Sequence, residues 1–393
     1  MNGPPTGRDH DCAAAVAADL VAAGERWTDA VEAAELALAS PACRESARCV
    51  SHALGALVCA GELVAADAHS LALLETRAAD PAVAEHALLA RAWVARRTGD
   101  LARCGGLLTW LRHHGGADGI RPVVLLWTVE DLVAGGEPDR AEAVLPGHGA
   151  DAGHPLLLAA TAEVAMALGR PRDALAGHLA CGRALTAAGV VNPAVLPWRY
   201  RAAHAALACG DNDDAAHLAA QEHAAALRWG EPRALGLSLS AVAGASPPGG
   251  DDLGAYERSI RLLELAHARR ELAEVLCDYG DRLAAHGKQV AAREIRARAR
   301  ATALDIGAAA LVRRADESDS TGAPDAGPVL TPAEAEVVRL VRGGLGNREI
   351  AARLAMATRT VELHLTRVYR KLGLSGRRDL RGTRWVPVPG EPR

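Results

Sequence analysis

Phenylalanine is absent from this 393-residue chain, and aromatic residues together make up 3% of it. Half of the residues are nonetheless hydrophobic, so the apolar content is mostly Ala, Leu and Val. That composition suits helices packed closely on small side chains. Lysine is nearly missing too: Lys288 and Lys371 are the only two among 44 cationic residues. No CxxC pair occurs among the eight cysteines (Cys12, Cys43, Cys49, Cys59, Cys104, Cys181, Cys209 and Cys277). This excludes a disulfide framework and zinc-finger spacing, and the expectation is buried, reduced thiols. No uninterrupted apolar run reaches the ~18 residues of a membrane span. The opening MNGPPTGRDHDC has no basic stretch followed by an apolar one, so no signal peptide is read there. The expectation is a cytoplasmic protein of two or three domains that contacts no membrane.

Charge is unevenly placed. Residues 330–385 hold 12 Arg and Lys against 5 Asp and Glu, a net of +7. The chain as a whole carries −4 and the residues after 385 cancel, which leaves −11 on the first 329. A net negative chain is not a uniformly basic nucleic-acid coat protein. Between the acidic and basic parts, residues 313–329 are polar, hold Gly and Pro and have no apolar period, and read as a flexible linker. Residues 1–8 read as a disordered tail, 9–312 as a repeat domain, 330–384 as a second domain and 385–393 as a C-terminal tail.

The first 312 residues carry almost no strand signal. A helix, a short Gly turn and a second helix recur instead, with turns at Gly24, Gly61, Gly99, Gly136, Gly169, Gly210, Gly250 and Gly287. Successive turn glycines lie 33 to 41 positions apart, close to the ~34-residue period of a tetratricopeptide repeat. Gly accepts the left-handed conformation that ends a helix, Asp caps the next one, and Pro suits its first turn. One such hairpin cannot bury its apolar face alone, but a stack can. The expected fold is all-α, an α-solenoid of about eight tetratricopeptide-like hairpins. From Asn192 on, NPAVLPWRYRAAHAALACGDNDDAAHLAAQEHAAALRWGEPRALG resembles the helical-repeat region of the large ATP-binding LuxR-type (LAL) regulators.

Residues 330–380 read LTPAEAEVVRLVRGGLGNREIAARLAMATRTVELHLTRVYRKLGLSGRRDL. Thr331 and Pro332 open a helix whose apolar side is Val337, Val338, Leu340 and Val341. Asn347 caps a short second helix with Ile350, Ala351 and Leu354 inward. Thr358 caps a third with Val361, Leu365, Val368 and Leu372 inward, spaced 4, 3 and 4 apart. Ser375 caps a fourth. A short helix, a tight turn and a helix with basic residues on its open face make a helix-turn-helix. The pattern closely resembles the four-helix LuxR-type DNA-binding domain through Leu330-Thr-Pro332, Glu334, Gly344-Leu345, Asn347, Glu349-Ile-Ala351, Leu354, Arg359-Thr-Val361, His364-Leu365 and Arg370-Lys-Leu-Gly373.

The resemblance implies that the third helix enters the major groove of double-stranded DNA. Glu362, Leu363 and Thr366 are then assigned to base edges, since Glu accepts from cytosine N4, Thr offers a hydroxyl or methyl, and Leu packs on a thymine methyl. Arg359, Arg367, Arg370 and Lys371 are assigned to phosphates. Asn347, Thr358 and Thr360 are further backbone contacts at helix starts. His364 is expected to pack and hydrogen-bond. Departures stand at Ala333, Ala335 and Gly346, and Gly376 and Gly382 interrupt the fourth helix, which commonly carries the dimer contact in this family.

No GxxxxGK[ST] occurs, so no P-loop is read, and no pattern supports catalysis, a metal or a cofactor. Asp211-Asn-Asp-Asp214 lacks the Gly and distal Glu of a calcium loop and reads as an inter-helix turn. Trp93, Trp127 and the intervening Trp110 recur every 17 residues and either fill the core or line a ligand groove. Tyr200, Tyr256 and Tyr279 have the same two readings. The expected function is a sequence-specific transcriptional regulator, not an enzyme. Its repeats would sense a small-molecule or protein effector, and its partners would be double-stranded DNA, the transcription machinery and a second copy in a homodimer. The alternative is a helical-repeat interaction scaffold with a residual or partner-dependent DNA-binding module.

Overall fold

The computed structural model describes residues 12–76, 80–116, 119–145, 153–247, 251–320, 332–354, 356–372, 377 and 380, with backbone alone for 318–320, 332, 333 and 370–372. All regular structure among the described residues is α-helical. The chain divides into two compact units, Met1–Asp319 and Ser320–Arg393.

The first unit is a run of helical hairpins. Helices α1 (Ala13–Ala23) and α2 (Trp27–Ala39) form the first, and a single turn, α3 (Pro41–Arg44), leads on. Then come α4 (Ala47–Ala60) with α5 (Leu63–Glu75), α6 (Pro81–Thr98) with α7 (Leu101–His114), and α8 (Ile120–Gly135) with α9 (Pro138–Val144). They are followed by α10 (Pro155–Ala167) with α11 (Pro171–Ala187), and α12 (Trp198–Cys209) with α13 (Asn212–Trp229). The last are α14 (Pro232–Ala245) with α15 (Asp252–Leu265), and α16 (Arg269–Ala285) with α17 (Gln289–Ile306). These are the eight hairpins of the repeat pattern. Seven of the eight turn glycines lie in the left-handed region, with φ between 66° and 85°; Gly250 falls outside the described residues.

Small residues set how near the helices come. A Cβ on Gly182 of α11 would meet the Trp198 ring of α12 at 2.5 Å. Ala14, Ala17, Ala30, Ala34 and Ala53 are fully buried between α1, α2 and α4. Interiors this dense leave no space for a larger side chain without strain.

The array also does something a one-dimensional stack does not: it closes on itself. Trp229 at the end of α13 is 1% exposed and its indole Nε1 donates to Cys59 O of α4 at 3.0 Å. Val191 N donates to Ala22 O of α1 at 2.9 Å. Arg97 of α6 donates from Nη2 to Glu231 Oε1 at 2.9 Å, both side chains buried. Glu231 accepts from Ala234 N with its other oxygen at 2.8 Å, so the same carboxylate caps α14. Burying one such large apolar side chain contributes about 2 kcal/mol.

The packed unit runs past residue 312. Helix α18 (Ala309–Ser320) enters the stretch read as linker, because Arg314 donates to Asp278 of α16 at 2.6 Å and Ala315 is buried in the core. None of the helices among the described residues is long and apolar enough to cross a membrane.

The second unit contains α19 (Pro332–Arg342), α20 (Asn347–Arg353) and α21 (Thr358–Leu372). Val337, Val338, Val341, Ile350, Val361, Leu365 and Val368 form its core, at the positions expected from the helical spacing. Gly344 adopts φ +91° after α19. The caps differ from expectation. Gly346 is the N-cap of α20, and Glu349 reaches back to accept from Gly346 N at 2.6 Å. At α21, Ala357 O accepts from Thr360 N at 2.9 Å, so Thr358 is the first helical residue and not the cap. The cap expected at Thr331 and the start of the fourth helix at Ser375 lie outside the described residues.

Candidate nucleic-acid interface and repeat-domain cavity

Core burial fixes the face that α21 presents to solvent. With Val361, Leu365 and Val368 buried, Glu362, Leu363, Thr366 and Arg367 point outward and are exposed. Leu363 is 51% exposed, an apolar side chain on an otherwise polar helix face. Arg359 and Thr360 are exposed and Thr358 is half-buried at the start of the same helix. The side chains of Arg370 and Lys371 lie outside the described residues.

Two local contacts change what these groups offer. Arg359 Nη1 lies 3.3 Å from Glu362 Oε2, an exposed i,i+3 pair. Such a pair is worth well under ~1 kcal/mol, so it orients the carboxylate without holding it from another partner. Thr366 Oγ1 donates to Glu362 O at 2.9 Å. Its hydroxyl proton is thus committed to the helix, and a lone pair and the methyl remain outward.

Asn347 is half-buried, and its Oδ1 accepts from Arg377 Nη1 at 2.6 Å. A second Arg377 nitrogen donates to Leu345 O. The amide nitrogen of Asn347 keeps its donors, while its oxygen ties residue 377 to the start of α20. Sequence reading missed this latch, since nothing in the spacing of 30 residues marks it. His364 is half-buried, and its Nδ1 has no hydrogen-bond partner among the described residues.

In the repeat unit, closure leaves a partly open cavity of about 220 Å³. Trp93, Trp127 and Trp198 give it apolar walls, and Arg97, Arg270 and Glu271 give it charge. Of the tryptophans spaced by 17, Trp93 and Trp127 meet with ring centroids 5.6 Å apart, whereas Trp110 is 43% exposed and stacks on His114. Tyr200, Tyr256 and Tyr279 are core residues. Asp211 is the N-cap position of α13 and Asp213 and Asp214 lie in its first turn, as the turn reading expected.

The charges form a linked network. Arg233 Nε donates to Glu271 Oε1 at 2.6 Å, and Arg96 pairs with Glu130 and Asp131. Arg201 Nε lies 3.3 Å from Glu163 Oε1. Burial works to raise the Glu271 carboxyl, but Arg233 and Arg97 outweigh it and hold it near 2. Burial pushes the Glu163 carboxyl up despite Arg201. Burial, aided by Arg201, lowers the His178 imidazole to about 3, so it is neutral at pH 7. Arg97 Nε and Nη1, Arg270 Nη1 and His178 Nδ1 are buried without a hydrogen-bond partner among the described residues. The sequence held a signal for this network. Acid–base partners recur about one repeat apart: 34 residues for Arg96–Glu130, 36 for Arg103–Asp67 and 38 for Arg233–Glu271.

Comparison with known proteins agrees with both units. Residues 328–381 match the family described as bacterial regulatory proteins, luxR family. An HTH-type transcriptional regulator of Mycobacterium bovis is 36% identical over 187 residues, which are 45% of this chain and 19% of that protein. The HTH-type transcriptional regulator GfsR of Streptomyces halstedii is 36% identical over 112 residues, 27% of this chain and 46% of GfsR. The matched regions thus span less than half of either relative. Among solved structures, a Rap protein complexed with competence and sporulation factor superimposes with a TM-score of 0.50 over 83% of this chain and 94% of its own, at 11% identity. That likeness is one of fold, and it covers the helical-repeat architecture. The family match and the order of α19, α20 and α21 together identify a LuxR-type helix-turn-helix domain at residues 328–381.

Proposed function

We propose that the chain is a sequence-specific, DNA-binding transcriptional regulator whose repeat unit senses an effector. The observation that carries this reading is the LuxR-family domain at residues 328–381 with its exposed α21 face. Glu362, Leu363 and Thr366 meet base edges in the major groove. Given the committed Thr366 proton, its contact is through the methyl or an accepted hydrogen bond. Arg359, Arg367, Arg370 and Lys371 meet phosphates, with Asn347, Thr358 and Thr360 at helix starts. Its action is binding, with no catalytic step, and a homodimer presents two such helices to a roughly symmetric site. RNA polymerase or its accessory factors complete the response.

The effector site is the cavity of the repeat unit. Its partnerless arginine nitrogens suit an anionic group, and its three tryptophans suit an apolar or aromatic body. A small organic carboxylate or phosphate fits that chemistry.

The test is selection of genomic fragments by purified protein across a salt series. A shared, roughly symmetric motif is expected, with affinity falling steeply as salt rises. Glu362→Ala combined with Thr366→Ala is expected to lose the motif while retaining salt-dependent, non-specific binding. No enrichment at any salt, with or without added small carboxylates, would overturn the proposal.

A further inference from the structure

Three cysteines that are far apart in sequence converge at the first two hairpins. Cys12 is the N-cap of α1, Cys43 lies in α3, and Cys49 is in the first turn of α4. Cys12 Sγ is 3.4 Å from Cys43 Sγ and 3.6 Å from Cys49 Sγ, and all three sulfurs lie within 4.8 Å of one another. Each is half-buried: one side packs on the N-terminal core and the other stays within reach of solvent. The remaining half-buried thiol, Cys209, is not part of the group.

Neutral thiols are weak donors and weak acceptors, so hydrogen bonding gives little reason for three to meet. A disulfide needs sulfurs about 2.05 Å apart, and one pair would leave the third unused. Thiolates on a closed-shell cation at about 2.3 Å stand roughly 3.8 Å apart in tetrahedral geometry and roughly 4.0 Å apart in trigonal geometry. The two spacings at Cys12 reach either with a shift of a few tenths of an ångström, and Cys43 and Cys49 already lie within 4.8 Å of each other. An all-sulfur donor set selects a soft cation and disfavours Mg²⁺ or Ca²⁺.

We propose that Cys12, Cys43 and Cys49 bind one thiophilic d¹⁰ cation, Zn²⁺ or Cu⁺, as a trithiolate site that ties α1, α3 and α4 together. Zn²⁺ there completes its coordination with a solvent oxygen, whereas Cu⁺ is satisfied by the three sulfurs. Each thiol releases its proton to solvent as it binds, and no oxidant is required.

The experiment uses tag-free, full-length protein, reduced and handled without oxygen. Co²⁺ titration is expected to give a thiolate-to-cobalt charge-transfer band saturating at one equivalent. Zn²⁺ or Cu⁺ displaces it, and the order of displacement identifies the preferred ion. Cys12→Ser, Cys43→Ser and Cys49→Ser are each expected to weaken uptake by at least ~100-fold, and Cys209→Ser to leave it unchanged. Mass-spectrometric alkylation of the unmutated protein is independent of whether the variants fold. Zn²⁺ or Cu⁺ is expected to slow modification of Cys12, Cys43 and Cys49 and not of Cys209. No charge-transfer band, equal uptake by the serine variants, or alkylation unaffected by either cation would overturn the proposal, as would a Cys12–Cys43 disulfide formed with no metal uptake.

Discussion

The two units handle charge in opposite ways. In the C-terminal unit the core side chains from Val337 to Leu380 are apolar, and Glu334 is the one buried ionisable group among its described residues. Its arginines on α20 and α21 with described side chains are exposed. The repeat unit, which lies within the 329 residues that carry the net −11, buries Arg97, Glu130, Glu163, Glu222, Glu231, Arg270 and Glu271. The described arginine side chains of α20 and α21 face outward. The buried charges of the large unit face inward and pair helices that meet when the array closes. Apolar contacts hold hairpins together at many registers, whereas a buried arginine tolerates one partner position.

The comparison is broken most directly at Glu231. Glu231→Ala removes the partner of Arg97 and the cap of α14 in one step. Leaving a buried guanidinium unpaired costs about 3–5 kcal/mol. The expected result is a large fall in the urea midpoint of the repeat-unit transition, with residues 320–393 melting unchanged. An unaltered midpoint would mean that closure does not depend on this pair.

Glu222 sharpens the comparison through pH. Burial pushes its carboxyl up to about 8 against the pull of Arg199 and Arg233, and neither oxygen has a hydrogen-bond partner among the described residues. The folded state therefore holds its proton more tightly than the unfolded chain does. The stability this contributes is complete below about pH 4.5 and is lost as pH rises towards 8. Glu222→Gln keeps the shape without the titration. Relative to the unmutated chain it is expected to gain on the order of 3 kcal/mol between pH 4.5 and pH 7, measured by chemical denaturation at each pH. A gain that does not vary with pH would show that the carboxyl is ionised in the folded state.

The smallest effect is expected on the surface of α21. A double-mutant cycle on Arg359 and Glu362 should give a coupling below ~1 kcal/mol in the free protein, falling further with salt. Arg359→Ala alone should weaken binding to all DNA sequences alike, and Glu362→Ala should relax sequence choice. A sequence-dependent loss from Arg359→Ala would exchange their assigned roles.

Legibility in the sequence followed the range of the interactions. The hairpins were readable because a helix end is local: Gly99 ends α6 with a positive φ, and Asp100 caps the next helix one residue later. The inward faces of α20 and α21 were readable for the same reason, from spacings of three and four. The closure was not. Trp229 and Cys59 are 170 positions apart, and Arg97 and Glu231 are 134 apart. No periodicity connects them, and the buried arginines look like any solvated helix face. The three clustered cysteines were missed because their spacing belongs to the packing of three helices and not to a turn. The linker boundary was set too early because Arg313 and Arg314 look like solvated charge, whereas Arg314 has Asp278 to meet. On the exposed face of α21 the assigned residues follow a local pattern, but the commitment of the Thr366 proton and the Arg377 latch depend on contacts that no spacing marks.

The clasp between Arg97 and Glu231 also has a consequence for how the chain is made. A linear array lets each hairpin settle on the one before it as it leaves the ribosome. Here the partner of Arg97 is synthesised 134 residues later, a delay on the order of ten seconds at about 5–20 residues per second. During that interval α6 carries an unmatched guanidinium, and the surface that will receive Trp229 stays open. The first hairpins can assemble early, but they reach their final state only when α13 and α14 arrive, so birth of the domain is a late, collective event.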